Sequence, residues 1–524
     1  MLGGNNEAHA QRRVRAQGRR AVSDIPVLVA GGGPVGLAMA CELRRRGVGF
    51  RAVERAGQPT ELSKALVVWP RTLELLRLAG CAGDFTAVGR PIREAQLRAN
   101  GRVIAEIGFA GIATPYPFAL FIPQSETERL LEAHLERLGG GLERRVELTS
   151  FEPGPYGVVC MLGHADGRSE RVTCDYLVAC DGAHSAVRHG LKLDFAGETE
   201  PVAFMLGDVK LDGAVEDKLQ LYWHREGVLG IFPMQRGRFR VIADLGPSAT
   251  APEDATLELI QSALDRRGPS GVRAYDPVWL SLFNINDRKV ADYRHGRVFL
   301  TGDAAHIHSP AGGQGMNTGI QDAFNLAWKL ALAIKGKGGE RLLASFSPER
   351  SAVGDVVLRN AARLTRLATL RQPAAQAIRN QAVALLMRFA PVRRAFARTM
   401  TELDIRYPRS ALSQGRPSKA LRPGDRAPDA AATVNGRQRQ LFDVLNRDGF
   451  TVLAVGAAEA PGAVELAARF MPWVKAVPAL ADGEMKARYG TGVYVIRPDW
   501  YVGLIARAGG YDKAERYLTT WLRS

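Results

Sequence analysis

The sequence lacks several features that would place it in common protein classes. Its 524 residues contain no uninterrupted apolar stretch of about 18 residues, so we expect no transmembrane span. The first residues carry arginines but no apolar core of a secretory signal, and we predict a disordered basic tail over residues 1–23. The net charge of +16 comes with no zinc-finger or homeodomain motif, so we expect no nucleic-acid partner.

Cysteine is also scarce, and none follows residue 180. The spacing of the five cysteines forms no zinc pattern, and their odd number predicts reduced thiols and a cytoplasmic location. A C-terminal domain without cysteine cannot carry CxxC thiol chemistry. The five positions are Cys41, Cys81, Cys160, Cys174 and Cys180.

A dinucleotide-binding pattern begins at residue 25. The apolar run at 25–30 resembles a buried strand, and it leads into the turn GGGPVG, a helix that ends at Gly47, and a second strand that ends at Glu54. The helix N-terminus would face phosphates, and the Glu54 carboxylate would accept from ribose hydroxyls. This order predicts a dinucleotide site but leaves FAD and NAD open. Its predicted contacts are Gly31, Gly33, Pro34, Val35, Gly36 and Glu54.

A second glycine-rich loop lies far along the chain. The apolar strand 298–300 delivers the segment TGDAAH, and the loop 310–315 leads into a long helix with an apolar face. A helix start beside a backbone loop is a site for negative charge, such as the pyrimidine edge of a reduced flavin. Asp303 could accept hydrogen bonds from ribityl hydroxyls. NAD has no ribityl chain, so the second loop favours FAD.

Three motifs resemble those of the FAD-dependent aromatic hydroxylases, the single-component flavoprotein monooxygenases. They are GGGPVGLAMA followed by Glu54-Arg55, YLVACDGAHSAVR, and GDAAHIHSPAGGQGMNTGIQDAFNLAWKLA, and with PQSETE at 123–128 the resemblance covers residues 25–360. Lys64 departs from the family, in which arginine is frequent, and Arg71 is a further candidate cofactor contact. The cofactor-binding residues that the resemblance adds are Arg55, Gln124, Asp181, Gly182, Gly302, Asp303, Pro310, Gly313, Gly315, Met316 and Asn317.

The resemblance implies an activity. NAD(P)H would reduce FAD, dioxygen would add to give a flavin 4a-hydroperoxide, and its distal oxygen would pass to a small aromatic substrate, phenolic or polycyclic. No second complete nucleotide fingerprint occurs, so the nicotinamide is expected to bind transiently. Alternatives are a monooxygenase that inactivates an aromatic antibiotic, a halogenase-like or dehydrogenating flavoenzyme, and a non-catalytic flavin-binding scaffold or sensor.

A sheet is predicted over residues 195–286, where apolar and polar residues alternate and the runs 228–233 and 239–242 form a hairpin candidate. Tyr222 and His224 are candidates to deprotonate a phenol, although alternation equally allows them a packing role. His306 and His308 lack an accompanying carboxylate or thiolate cluster, so we predict no metal site.

These observations predict an α/β fold with a Rossmann-type FAD-binding domain, an inserted antiparallel-sheet substrate domain, a helical connector and a C-terminal thioredoxin-like domain. The last domain resembles one appended to several aromatic hydroxylases. It could serve packing or a homodimer, and the sequence leaves both open. The predicted segments after the tail are 24–92, 113–194 and 287–350 for FAD binding, 93–112 and 195–286 for the substrate domain, 351–412 for the connector and 413–524 for the thioredoxin-like domain.

Overall fold

The computed structural model describes residues 23–60, 63–247, 251–310, 312–456 and 460–523. The predicted tail, apart from Ser23, lies outside the described residues. The strands in chain order are β1 Ile25–Ala30, β2 Phe50–Glu54, β3 Val67–Val68, β4 Arg90–Ile92, β5 Glu94–Ala99, β6 Arg102–Gly108, β7 Ala119–Phe121, β8 Glu143–Arg144, β9 Val146–Pro153, β10 Val158–His164, β11 Ser169–Ala179, β12 Ala196–Asp212, β13 Leu219–His224, β14 Gly227–Pro233, β15 Arg238–Pro247, β16 Arg273–Lys289, β17 Arg294–His295, β18 Val298–Leu300, β19 His306–Ile307, β20 Gln414–Gly415, β21 Ala431–Val434, β22 Arg437–Gln440, β23 Phe450–Val455, β24 Val474–Ala479, β25 Gly492–Ile496 and β26 Val502–Ala506.

The helices are mostly short, apart from two long ones in the middle of the chain. In chain order they are α1 Pro34–Arg45, α2 Pro70–Ala79, α3 Ala82–Val88, α4 Gln124–Arg137, α5 Ala186–Gly190, α6 Leu257–Arg267, α7 Gly315–Ile334, α8 Glu340–Ala344, α9 Phe346–Ala368, α10 Pro373–Leu386, α11 Ala390–Met400, α12 Leu441–Val444, α13 Ala460–Ala468, α14 Gly483–Arg488 and α15 Tyr511–Leu522.

The first sheet has the order β17-β18-β11-β1-β2-β8, with β10 and β9 attached beside β11. Strand β1 pairs in parallel with both β2 and β11, and β11 pairs in parallel with β18. Both glycine-rich loops follow strands of this sheet, at β1 and at β18. Because parallel strands end at the same edge of a sheet, this topology brings two loops together that are far apart in sequence.

The second sheet has the order β19-β16-β12-β15-β14-β13-β5-β6 and is largely antiparallel. The predicted hairpin is present as β14 and β15. Helix α6 covers one face, where its residues Ile260 and Leu264 share an apolar cluster with Met205, Val209 and Val241. The opposite face looks toward the loops of the first sheet.

A third sheet lies in the C-terminal domain, with the order β20-β26-β25-β23-β24. Strand β23 is parallel to β24 and antiparallel to β25. The predicted α/β fold class is confirmed. The cysteines are free and buried.

Helices α9 to α11 connect the first sheet to the C-terminal domain. The predicted division between residues 350 and 351 falls inside helix α9, so the FAD-binding unit and the connector share that helix. Among the described residues, no helix is both long enough and apolar enough to cross a bilayer.

Candidate active site

Val35, at the start of helix α1, packs against the turn that follows β18 and against helix α7. A Cβ on Gly302 would lie 2.9 Å from the Val35 side chain, and one on Gly319 would lie 2.7 Å from it. Helix α1 therefore packs against the start of helix α7, and the N-termini of both helices lie at one cleft. This is the arrangement that a nucleotide with two separated polar parts requires.

The first loop combines positions that need glycine for packing with a position that faces open space. Gly31 has φ of +105°, and a Cβ there would overlap the Cys180 carbonyl, while a Cβ on Gly36 would overlap the Gly31 carbonyl. A Cβ on Gly33 would have no atom of the described residues within 4 Å. The space beside Gly33 is thus available to a phosphate at the helix start.

Glu54 fixes the shape of the same loop. One of its carboxylate oxygens accepts from the Gly32 amide at 2.7 Å, and the other accepts from the Ala56 amide at 2.8 Å. The carboxylate is only half-buried and retains lone pairs for a ribose hydroxyl. Arg55 is exposed at the end of β2.

Asp181 and Gly182 follow β11 at the same edge. Asp181 Oδ2 accepts from the Val187 amide at 3.2 Å, while Oδ1 is buried with no hydrogen-bond partner in the part of the chain that the structure describes. Burial raises the pKa of Asp181, and nearby hydrogen-bond donors oppose this only in part. Gly182 has φ of +80° and faces open space. A buried acceptor without a donor fits a ligand hydroxyl or amide at this position.

Asp303 lies on the floor of the cleft, in the short 3-10 turn after β18. Its side chain is exposed to the cleft, yet burial by the surrounding protein raises its pKa, with His306 and Lys64 opposing the shift. Lys64 thus lies close enough to act on an anion in the cleft. Gln124 holds the Lys64 loop, because its Oε1 accepts from the Ala65 amide at 3.2 Å.

The second loop is braced by the Asn317 side chain. Its Oδ1 accepts from the Trp69 amide at 2.8 Å, and its Nδ2 donates to the carbonyls of Val67 at 2.8 Å and Gly313 at 2.9 Å. The Trp69 indole donates to the Gly312 carbonyl at 2.9 Å. The side chain of Asn317 is therefore used by the protein, whereas the first N–H groups of α7 have no partner within the helix.

These first N–H groups come from Gly315, Met316 and Asn317. Met316 is half-buried against the core, and Pro310 is exposed at the entrance of the loop. Backbone donors at the start of a 20-residue helix stabilise negative charge through the helix dipole.

Asp322 anchors both ends of the TGDAAH segment and was missed by the sequence analysis. Its Oδ2 accepts from the Gly302 amide at 2.9 Å and contacts His306 Nε2 at 2.8 Å. Its Oδ1 accepts from Arg350 Nε at 2.5 Å. Burial alone would raise the pKa of Asp322, but Arg350 and His306 lower it below its ordinary value.

His308 is neutral at this loop, because burial lowers its pKa to about 4. Its Nδ1 contacts the Ser309 carbonyl at 2.8 Å and therefore carries the proton. Nε2 is buried and has no partner among the residues described, and a Cβ on Gly315 would lie 3.7 Å from it. It can accept a hydrogen bond from a group bound at the start of α7.

An apolar face of the second sheet lies opposite these loops. Phe204 stacks on Phe283 with ring centroids 5.7 Å apart, and Leu206 pairs across the strands with Ile242. Arg240 orients this face: it forms a buried ion pair with Asp208 and donates to the carbonyls of the Ser63–Lys64 segment. Alternation along β12 and β15 sends these side chains away from α6.

Two catalytic candidates lie on the other face. The Tyr222 hydroxyl donates to Gln220 at 2.6 Å, and its ring belongs to the apolar cluster under α6. His224 has the same parity along β13, and its Nδ1 accepts from the Glu226 amide at 3.3 Å. Neither side chain reaches the flavin-facing side, so the structure argues against both as catalytic residues.

Arg71 is also removed from the candidate cofactor contacts. Its guanidinium is fully buried, where it donates to Glu74 at 3.1 Å and to the Asp499 carbonyl at 2.8 Å and stacks over Tyr501. The side chain therefore faces the C-terminal domain.

Comparison with known families completes the assignment. Residues 24–361 match the FAD binding domain, and residues 420–524 match the C-terminal region of aromatic-ring hydroxylases. The chain belongs to the FAD-dependent aromatic-ring hydroxylases. This hydroxylase is 35% identical over 492 residues to an uncharacterized aromatic compound monooxygenase, YhjG, of Bacillus subtilis (strain 168), with 93% of this chain and 95% of that protein covered.

Two relatives from Streptomyces rimosus cover nearly the same length of the hydroxylase. A 6-methylpretetramide 4-monooxygenase is 35% identical over 512 residues, which are 92% of this chain and 91% of that protein. The solved structure of OxyS anhydrotetracycline hydroxylase has a TM-score of 0.81 at 31% identity, covering 95% of this chain and 99% of that chain. The predicted family and the predicted enzyme class are confirmed.

The cofactor is FAD, with NAD(P)H as co-substrate, and the reaction is the hydroxylation of an aromatic substrate. When bound, FAD accepts a hydride from NAD(P)H and activates dioxygen. The residues present fit this cofactor, because the open space at Gly33, the unpartnered Asp181 Oδ1 and the accessible Asp303 lie along one cleft.

Proposed function

We propose that the enzyme hydroxylates a polycyclic phenol held between the second loop and the apolar face of the second sheet. One observation carries this proposal: Phe204, Phe283, Leu206 and Ile242 form an apolar face, and Arg240 on the same face donates to the carbonyls of the Ser63–Lys64 segment. An apolar face binds fused rings and excludes water from the reacting centre. The substrates named for the two Streptomyces relatives are of the same chemical class.

We propose further that the cofactor lies along the cleft from Glu54 to Asn317. The hydroxyls of the adenosine ribose would donate to the Glu54 carboxylate, and the pyrophosphate would lie over Gly33 and the start of α1. Gln124, Lys64 and Asp303 would position the ribityl and phosphate part. The loop from Pro310 to Asn317, with the first N–H groups of α7, would line the isoalloxazine.

The hydroxyl of the substrate needs an acceptor, and His308 is the residue that we propose for it. The ring is neutral, and its unpartnered Nε2 faces the start of α7. A neutral acceptor orients a phenol without adding charge to the apolar face. This role replaces the one predicted for Tyr222 and His224.

We propose a cytoplasmic location, which the free and buried cysteines support. Formation of a homodimer stays a prediction.

The test is coupled turnover. The purified yellow protein is supplied with NADPH or NADH and screened against monocyclic phenols, polycyclic phenols and aromatic antibiotics, with oxygenated product measured by mass spectrometry. We expect polycyclic phenols to stimulate NAD(P)H oxidation with matched product. Stimulation by monocyclic phenols alone would contradict the substrate class, and stable flavin binding without turnover by any class would favour a scaffold.

A further inference from the structure

Helix α10 exposes its apolar side to solvent. Its exposed positions recur every three or four residues, which defines one face of a helix. Ile378 is 69% exposed, Leu385 57%, Leu386 52%, and Phe389, just after the helix, 56%. We call these four residues, with the exposed Ala374, Ala377, Gln381 and Ala382 between them, the apolar stripe.

The inner face of the same helix is mixed, because Val383 and Met387 pack against the apolar cluster around Trp223 and polar side chains lie beside them. Gln376 and Arg379 are buried, and Arg379 lies over the Trp223 ring at 4.2 Å. Gln376 donates to the Leu370 carbonyl at 2.6 Å. A surface helix ordinarily turns its apolar residues inward. Helix α10 instead carries large apolar side chains on both faces, and the outer ones are exposed, which indicates that the apolar stripe has a partner outside the chain.

Arginines surround the stripe. Residues 351–412 contain eleven arginines and three carboxylates. Arg388, Arg394 and Arg398 are exposed, and none of these three forms an ion pair with any carboxylate that the structure describes. Eleven arginines against three carboxylates leave a charge of +8 in this segment, which is half of the net charge of the chain.

We propose that α10 and α11 dock onto an anionic membrane surface. The apolar stripe would enter the boundary between headgroups and acyl chains, and the three arginines would contact lipid phosphates. Both parts of such a surface are present: large apolar side chains on one face of α10, and, just after it and on α11, arginines that pair with no described carboxylate. The docking needs no spanning helix and does not rest on the proposed reaction.

A second copy of the chain fits this surface less well. Helix α10 has 14 residues and is about 21 Å long, so its stripe alone falls short of the roughly 800 Å² per partner of a stable interface. In a two-fold contact the same patch occurs on both subunits, and both patches would carry the arginine excess. A lipid surface supplies the opposite charge.

The position of α11 connects this surface to the active site. Its inner residues Phe396, Ala397 and Met400 belong to the apolar cluster that contains Trp69, and a Cβ on Gly312 would lie 3.4 Å from Met400. One side of α11 thus faces the second loop, and its other side carries Arg394 and Arg398. Docking would place the apolar end of the active site next to the lipid.

The test is sedimentation of the full-length, FAD-loaded protein with vesicles. Vesicles of phosphatidylcholine alone are compared with vesicles of equal parts phosphatidylcholine and phosphatidylglycerol. We expect binding to the anionic vesicles that weakens as salt is raised. A protein that stays in the supernatant with both vesicle types overturns the proposal.

Two sets of variants test whether the vesicles bind to this surface. The triple change Leu385→Ser, Leu386→Ser and Phe389→Ser should lower vesicle affinity by more than tenfold, and Arg388→Gln, Arg394→Gln and Arg398→Gln should lower it about fivefold for each arginine. The controls Val464→Ser and Arg469→Gln change exposed residues of the C-terminal domain and should leave affinity unchanged.

Melting temperatures close to that of the parent show that the variants fold, since every changed side chain is exposed. Vesicle binding that survives both triple changes overturns the proposal. A second result would also overturn it: light scattering shows that the parent is a dimer and the serine variant a monomer, and the parent does not bind anionic vesicles.

Discussion

At the scale of single residues, the polar groups around the second loop divide into those that hold protein and those that face the cleft. The side chains of Asn317 and Asp322 form hydrogen bonds to other groups of the protein. Asp303 and the Oδ1 of Asp181 have no such partner among the described residues. We therefore expect substitutions in the two groups to act differently, on the fold in the first and on the cofactor in the second.

Asp303→Ala should weaken FAD binding about tenfold or more, because it removes the acceptor that we propose for the ribityl chain. The measurement is a titration of the deflavinated protein with FAD, followed by quenching of flavin fluorescence. Asp303→Asn retains an acceptor oxygen and should lose less affinity. An alanine variant that binds FAD as tightly as the parent would contradict the proposed position of the ribityl chain.

Asp322→Ala should instead destabilise the fold by about 3–5 kcal/mol, because it leaves Arg350 buried without its carboxylate and the Gly302 amide without an acceptor. Denaturant unfolding of the FAD-loaded protein measures the free energy of unfolding. The matched control is Asp355→Asn, whose half-exposed ion pair with Lys289 should contribute less than about 1 kcal/mol. Equal effects of the two changes would show that Asp322 is not an anchor.

At the scale of elements, helix α7 shows what a sequence can and cannot reveal. Its apolar positions, such as Ile320 and Phe324, predict a buried face, and that prediction is confirmed. Its polar positions Thr318, Gln321, Asp322, Asn325 and Lys329 are also buried. Their spacing of three and four residues was visible, but it equally describes a solvated face. Only the connector and the C-terminal domain, which cover that side, make it interior.

The sequence of strand β13 likewise predicts only part of its structure. Alternation correctly predicts that neighbouring side chains face opposite ways, but it does not say which face meets the cleft. That depends on the pairing of β12 with β15 and β16, and on α6, which are distant in sequence. The loops and motifs were predictable because each is local, whereas the substrate face of the sheet is built from strands brought together by the fold.

Glu402 joins the end of the connector to α7 and yields a pH prediction. Its carboxyl contacts Thr318 Oγ1 at 3.0 Å and Gln321 Nε2 at 2.6 Å, and burial raises its pKa from 4.5 to about 8. The unfolded chain releases this proton near pH 4.5 while the folded chain retains it. The stability that Glu402 contributes therefore falls as pH rises from 4.5 to 8, by at most about 1.4 kcal/mol per pH unit.

Glu402→Gln removes this titration and preserves the size of the side chain. We expect the unfolding free energy of the variant, minus that of the parent, to increase steadily between pH 5 and pH 8. A pH series of denaturant titrations measures the difference, and groups that titrate in both proteins cancel. A difference that is independent of pH would show that Glu402 ionises normally in the folded protein.

At the scale of the whole molecule, a buried cluster of charges joins the C-terminal domain to the FAD-binding domain. Arg497 donates to Glu349 at 2.6 and 3.0 Å and to Asp499 at 3.0 and 2.6 Å. Lys329, on α7, donates to the same Glu349 at 2.8 Å. Burial alone would raise the pKa of Glu349, but Arg497 and Lys329 lower it. The thioredoxin-like domain, which has no cysteine, thus contacts the helix that begins at the second loop.

Arg497→Met tests whether this contact stabilises the flavin site from a distance. The change leaves Glu349 and Asp499 buried with too little positive charge, so we expect a loss of about 3–5 kcal/mol in unfolding free energy. Glu349 precedes Arg350, and Arg350 holds Asp322. We therefore expect the flavin to be released at a lower denaturant concentration than in the parent, together with the change in tryptophan fluorescence. Arg469→Met, whose ion pairs with Glu465 and Glu515 are exposed, is the control and should cost less than about 1 kcal/mol. If Arg497→Met unfolds the C-terminal domain but flavin release stays at the parental denaturant concentration, the domain packs against the hydroxylase without supporting its cofactor site.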